Sequence, residues 1–440
     1  MLSVFIKRLE KEKNMKKKWF ISKVLMVFTM LLSLFVGIGN PTVKAQTELT
    51  AWAWDPQFNI RALEIAQDIY ADENPDVSIN IVESAQDDIV QRLNTSLSSG
   101  VTDGLPNIVL IEDYRAQSFL KAYPDAFFPL TDYINADDFA SYKTEATSSG
   151  EQLYGIPFDT GVTGLYIRTD LLEEAGYTLE DVTDITWAEL HEVGKGIQEA
   201  TDVKLLSMDL NDLGLIRAMI NGSGSWYTTE DGTTPNISGN EALKEAFETF
   251  KAMYDDGLIN VHNDWAQMLQ AFNGGLVASV PQGNWITPSI TAQEDQAGNW
   301  AVVPWPRQEL EGAVNASNLG GSSFYVLNTE GAEEAAQFLA ATVGSSEEFY
   351  EQVMNEIGAV GTYLPVLETD TYDVEVEYFG GQQIYKNFAE WSEEIPAVNY
   401  GENTYAIEDI LVSALQEFIS GGDIDQVFEN AQQQAENQLQ

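Results

Sequence analysis

The 440-residue sequence contains no cysteine and only two histidines. Without thiols there is no disulfide framework, no Cys-ligated zinc site and no thiolate nucleophile. The histidines, His191 and His262, belong to no nucleophile motif, and no Gly-x-Ser-x-Gly elbow occurs. A Gly-rich phosphate loop with its lysine is missing as well. The run Asp209-Leu210-Asn211-Asp212-Leu213-Gly214 starts like a calcium loop, but its twelfth position is Ile220, where a bidentate Glu is required. No metal and no cofactor are expected. Basic residues are scarce too: residues 46–440 hold 13 Lys and Arg against 67 Asp and Glu, a net charge of −54. A polyanion of this size repels phosphate backbones and anionic lipid, so no nucleic-acid partner is expected. The acids are dispersed and 44% of residues are hydrophobic, which predicts two domains with real cores rather than a disordered acidic chain.

What basic charge exists is concentrated at the start. Lys16, Lys17 and Lys18 follow Met15, Val24 to Ile38 is almost wholly apolar, and Val43-Lys44-Ala45 precedes Gln46. This is the pattern of a cleaved signal peptide over residues 1–45, its apolar stretch short of the ~20 residues a membrane span needs. The chain is therefore expected to be exported. Beyond it, strands and helices alternate. Leu49–Trp54, Val77–Val82 and Ile108–Ile111 read as strands, with helices at Ile60–Asn74 and Asp88–Ser99 between them. Such β-α-β-α-β order predicts a mainly parallel sheet flanked by helices, with ligands beyond the carboxyl ends of its strands. Trp54-Asp55-Pro56 and Glu112-Asp113-Tyr114 stand at two such ends. Further on, Trp187–Ala200 and Glu241–Asp255 are helical segments, and Gly275–Val280 is a strand leading to Pro281-Gln282-Gly283-Asn284-Trp285.

Residues 154–176 form a Pro-bearing strand, a Gly- and Asp-bearing bend, a second strand at Leu165–Ile167, and a helix start with Asp170 as N-cap. This segment resembles the first inter-lobe crossing of the extracellular solute-binding proteins of ABC transporters, in the maltose/oligosaccharide-binding group. Trp300–Trp305 resembles the second crossing, and Gly320-Gly321-Ser322-Ser323 the return to the first lobe. The resemblance spans nearly all of residues 46–440. It implies an α/β, two-lobe fold of the periplasmic-binding-protein type II, each lobe a mainly parallel sheet flanked by helices and discontinuous in sequence. Lobe 1 would hold 46–156 and 314–344, lobe 2 would hold 157–313 and 345–440, and the two would close on a ligand by hinge motion. It also implies a monomeric receptor, not an enzyme, that passes a short oligosaccharide to the permease subunits of an ABC importer. The place of work would be outside the cell membrane. Relatives in Gram-positive bacteria carry a lipid-bearing Cys after the signal peptide; its absence here leaves release, or retention by an uncleaved leader.

Sugars present C–H faces that stack on aromatic rings and hydroxyls that need paired donors and acceptors, so a sugar site combines Trp or Tyr platforms with polar groups in a cleft. Trp54 follows a strand end, and Trp285 lies in a turn that matches the position where the resembled family places a stacking aromatic. Trp226, after Gly222-Ser223-Gly224-Ser225, either faces a ligand or packs between lobes. Asp55, Glu112, Asp113 and Asp159 follow strands, and Asn284 and Ser322 flank the crossings, all candidates for hydroxyl contacts. Tyr363 and Tyr400 match late loops that the family brings to the cleft, or else cover a helix pair. Trp187, Trp265 and Trp300 read as core. The alternative function is a secreted glycoside hydrolase, which would need two carboxylates ~5–9.5 Å apart in such a cleft.

Overall fold

The computed structural model describes residues 47–439, so the leader expected over 1–45 lies outside the described residues. Ten strands matter here: β1 (Thr47–Ala53), β2 (Val77–Glu83), β3 (Ile108–Glu112), β4 (Gly155–Pro157), β5 (Thr163–Arg168), β6 (Leu206–Asp209), β7 (Ile259–His262), β8 (Ser279–Gly283), β9 (Trp300–Pro304) and β10 (Ser322–Val326). The first sheet has the order β2-β1-β3-β10-β4, and a second has the order β8-β5-β9. Strands β6 and β7 form a parallel pair, joined to the start of β8 by a parallel bridge between Lys204 and Val277.

Alternation of side chains builds the first lobe. In β3, Ile108 and Leu110 enter one core while Val109 and Ile111 enter the core on the opposite face. Phe324 and Val326 of β10 follow the first pair, and Tyr325 follows the second. A sheet buried on both faces explains the unbroken apolar runs of these strands. Helices Asn59–Ala71 and Glu347–Ile357, the latter from the stretch expected in lobe 2, close one face together, tied by Arg61 Nη2 to Glu356 Oε2 at 2.6 Å. A separate core holds Trp187, Leu190, Phe247, Phe250, Leu411 and Phe428, from four helices of the second lobe. The Trp187 helix starts with a capping box, Thr186 Oγ1 accepting from Glu189 N while Glu189 Oε2 accepts from Thr186 N.

The two-lobe α/β class is the one expected, but strand direction is more mixed than a mainly parallel sheet. Strands β1 and β3 are parallel, whereas β10 runs antiparallel to both β3 and β4. In the second sheet β5 is antiparallel to both its neighbours, β8 and β9. Of these, β4, β5, β9 and β10 belong to the crossing and return segments, which pass between the two sheets instead of through a βα unit. The helix after β5 begins at Thr169, and Asp170 is not its cap but pairs with the Arg168 guanidinium. The strand expected at Gly275–Val280 begins later, at Ser279, because Gly274 and Gly275 close the preceding helix.

Register brings the strand ends to one edge. Ser322 of β10 lies opposite Glu112 of β3, and Ser323 opposite Pro157 of β4. The end of β1 adjoins them, because β1 runs parallel to β3. Trp54, Asp55, Glu112, Asp159 and Ser322 therefore leave the first sheet on the same side.

Candidate functional site

A groove of about 860 Å³ opens at this edge. Its walls include Trp54, Asp55, Glu112, Asp159, Trp285 and Ser322, six residues expected from the sequence. Asp55 turns the chain out of β1 with φ of +55°, a left-handed conformation that short polar side chains tolerate. Its Oδ1 accepts from Gln57 N at 3.0 Å. Glu112 Oε2 accepts the Tyr405 hydroxyl at 2.5 Å and lies 3.5 Å from Arg115 Nε. Burial holds the Tyr405 hydroxyl well above the usual phenol range, with Glu112 adding to the shift, so it remains a donor. Asp159 Oδ1 accepts from both Ser322 N and Ser322 Oγ at 2.7 Å.

Trp285 hangs over this edge from the turn after β8. Its Nε1 donates to Leu319 O at 2.7 Å, which sets the ring before any ligand arrives. Gly283 is required beneath it, since a Cβ there would fall inside the indole. Facing it is Trp265, with ring centroids 6.0 Å apart and planes tilted by 34°. Trp265 was expected in the core; instead it is 52% exposed and lines the groove. It opens a helix directly after β7, N-capped by Asp264 Oδ1 accepting from Gln267 N. The signal in the sequence was that cap: an Asp-Trp pair following a strand puts the indole at the strand's carboxyl end.

Five expected residues lie off the groove. Asp113 is buried beneath it, with Oδ2 accepting from Lys143 Nζ at 2.5 Å and Oδ1 from Ser323 Oγ at 2.8 Å. Burial pushes its carboxyl up to about 6, against the opposing pull of Lys143. Lys143 is itself 0% exposed and also donates to Asp159 O and Ser322 O, both at 2.9 Å. It is thus a strut under the groove floor that nothing in its local sequence marks. Trp226 is buried by stacking on Tyr114 and donates from Nε1 to Tyr400 O and Thr404 Oγ1. Tyr400 completes this aromatic group, its ring 4.7 Å from that of Trp226. Tyr363 stacks on Tyr350 at 5.4 Å. Asn284 is buried behind Trp285, its backbone N donating to Val162 O.

A second chamber of about 330 Å³ shares Glu112, Trp265, Trp285 and Gly320 with the first. It lies at the carboxyl ends of β6 and β7, bounded by Asp209 and His262. His262 Nδ1 and Ser207 Oγ are 2.8 Å apart, and burial pushes the imidazole pKa down against Asp209, Asp212 and Asp264.

The family model for bacterial extracellular solute-binding protein matches residues 66–377. The chain belongs to this family. Among relatives of this solute-binding protein, a lactose-binding protein of Rhizobium radiobacter is 42% identical over 394 residues, covering 89% of this chain and 93% of the relative. An arabinooligosaccharide-binding protein of Halalkalibacterium halodurans is 25% identical over 382 residues, 83% of each chain. Among solved structures, the ABC-transporter-associated binding protein of B. animalis subsp. lactis, in complex with beta-1,6-galactobiose, superposes with a TM-score of 0.68 at 21% identity. That match covers 89% of this chain and 98% of the other.

Proposed function

We propose that this solute-binding protein captures a short, neutral, galactose-containing oligosaccharide in the groove and hands it to the permease subunits of an ABC importer outside the cell membrane. The observation that carries this reading is the joint placement of three indoles, Trp54, Trp265 and Trp285, with Asp55, Glu112 and Asp159 around one cavity. The rings offer flat apolar faces for sugar C–H groups, and the carboxylates accept hydroxyl protons. The names of the relatives, a lactose-binding protein first, favour galactosides within that class.

The receptor reading is favoured over hydrolysis by how the groove carboxylates are already used. One oxygen of each is already engaged, Asp159 Oδ1 by Ser322, Glu112 Oε2 by Tyr405 and Arg115, Glu356 Oε2 by Arg61 and Asp55 Oδ1 by Gln57 N, which leaves the second oxygens to accept sugar hydroxyls. A hydrolase instead needs one carboxyl free to protonate a leaving group and another aimed at the sugar or its water. Calorimetric titration with lactose, galactobiose, maltose and arabinobiose, followed by a reducing-end assay on the same samples, tests both halves. One galactoside binding at one-to-one stoichiometry without release of new reducing ends is the expected outcome. Heat from none of the four sugars, or steady turnover of any of them, would sink it.

A further inference from the structure

The geometry points to Tyr405 as a positioning residue for the sugar: from the second lobe it holds Glu112 of the first lobe and aims the free oxygen of that carboxylate at the ligand. This rests on the sugar-binding function proposed above and adds a residue to it that the groove itself does not contain. Tyr405 stands on the helix Thr404–Ile419, whose Ile407, Leu411 and Leu415 fill the second core. Glu112 ends β3 of the first sheet. Their contact joins residues 293 positions apart and crosses the lobe boundary. Glu112 lines both the groove and the chamber beside it, whereas Tyr405 lines neither. The tyrosine therefore reaches the ligand through the carboxylate and not by its own contact.

Two features make this a positioning device. The first is how Glu112 is held. Its Oε2 receives the Tyr405 hydroxyl at 2.5 Å and has Arg115 Nε 3.5 Å away, while among the described residues nothing bonds Oε1. A hydroxyl donating to a carboxylate at this distance is in the strong, charge-assisted class. With one oxygen fixed in this way, the other is pointed instead of swinging about the side-chain torsions. The second feature is how Tyr405 is held. The Arg115 guanidinium carbon lies 4.0 Å from its ring centroid and that of Arg217 5.5 Å away. Arg217 is itself locked, its Nη1 donating to both oxygens of Glu408 at 2.8 and 2.9 Å, and Glu408 Oε1 also accepts the Tyr227 hydroxyl. Cation–π contacts of this kind seat the ring without calling on its hydroxyl. The hydroxyl is thus left with one partner, Glu112.

The test is a double-mutant cycle of lactose affinity, measured by calorimetry on the wild-type protein, Tyr405→Phe, Glu112→Ala and the double variant, with a thermal melt of each. Tyr405→Phe keeps the ring under its guanidinium groups and removes the hydroxyl alone. It should weaken lactose binding ~10-fold. Made on top of Glu112→Ala, the same change should alter affinity by less than about 2-fold, because the carboxylate it positions is gone. Should Glu112→Ala fail to fold, Glu112→Ser, too short to meet the hydroxyl, closes the same cycle. A tyrosine that merely braces the fold gives another pattern, a lowered melting temperature with lactose affinity unchanged, and that result would overturn the proposal while leaving galactoside capture standing. A ~10-fold loss that persists without Glu112 would also overturn it, by showing that Tyr405 acts on the sugar along another route. No heat from lactose with the wild-type protein would remove the galactoside reading and this role with it.

Discussion

Lys143 and Trp265 are the two side chains whose roles depart furthest from their chemistry in isolation. A lysine buried to 0% exposure is tolerable only because one carboxylate and two carbonyls receive its three protons. Lys143→Met should cost ~3–5 kcal/mol of stability at pH 7.5, because Asp113 is then left buried without its cation. The sign of the pH dependence follows from the Asp113 carboxyl, raised from 3.8 to about 6 in the folded protein. The folded state then binds this proton more tightly than the unfolded chain, so acidification from pH 6 towards 4 favours folding through this group. Removing Lys143 pushes the carboxyl further up, and protonation relieves the unpaired charge. The difference between wild type and variant in urea denaturation should therefore be larger at pH 7.5 than at pH 5. A penalty that is flat with pH, or below ~1 kcal/mol, would show that the pair is not the strut described. The two were missed in the sequence for different reasons. Lys143 lies among Ser141, Tyr142, Thr144 and Glu145, an ordinary surface pattern, and its carboxylate partner is thirty positions away. Trp265 precedes Met268 and Leu269, so its apolar neighbours suggested burial, while its position at a helix start exposes it.

Individual strands and helices were much easier to read than their directions. Helix Glu241–Asp255 has the predicted limits, and β3 extends its predicted range by a single residue, Glu112. Hydrophobic periodicity reports which face is buried, and that is a property of one element at a time. Whether a neighbour runs parallel or antiparallel depends on how the chain crosses between lobes, which periodicity does not record. At the first crossing the backbone of one segment lies directly against that of another. Gly161 N donates to Asn318 Oδ1 at 3.1 Å and Gly161 O accepts from Leu319 N at 2.7 Å. A Cβ at Gly161 would lie 2.6 Å from Leu319 O, a backbone atom that cannot move independently. Gly161→Ala should accordingly force the two crossing segments apart at a cost of ~1–3 kcal/mol. A thermal melt within a degree of the wild type would show that the segments have slack there.

At the scale of the whole molecule, the function depends on bringing parts from distant stretches of the chain to one edge. The first sheet supplies Trp54, Glu112 and Ser322, the crossing supplies Asp159, and the second lobe supplies Trp265 and Trp285. The resemblance of residues 154–176 to a lobe crossing was enough to indicate that such an edge exists. It did not distinguish groove tyrosines from packing ones, because Tyr363 and Tyr400 sit on loops near the cleft yet turn their rings into Tyr350 and Trp226. The indoles are the opposite case, since Trp285 is held by Leu319 O in an orientation that burial alone would not demand. The most direct test of the account is calorimetric titration of lactose into the wild-type protein and into Trp285→Ala. Truncation should weaken binding by ~2–4 kcal/mol with the fold intact by circular dichroism, as expected for a central aromatic anchor. A folded variant that binds within ~0.5 kcal/mol of the wild type would contradict the claim that this ring carries the sugar.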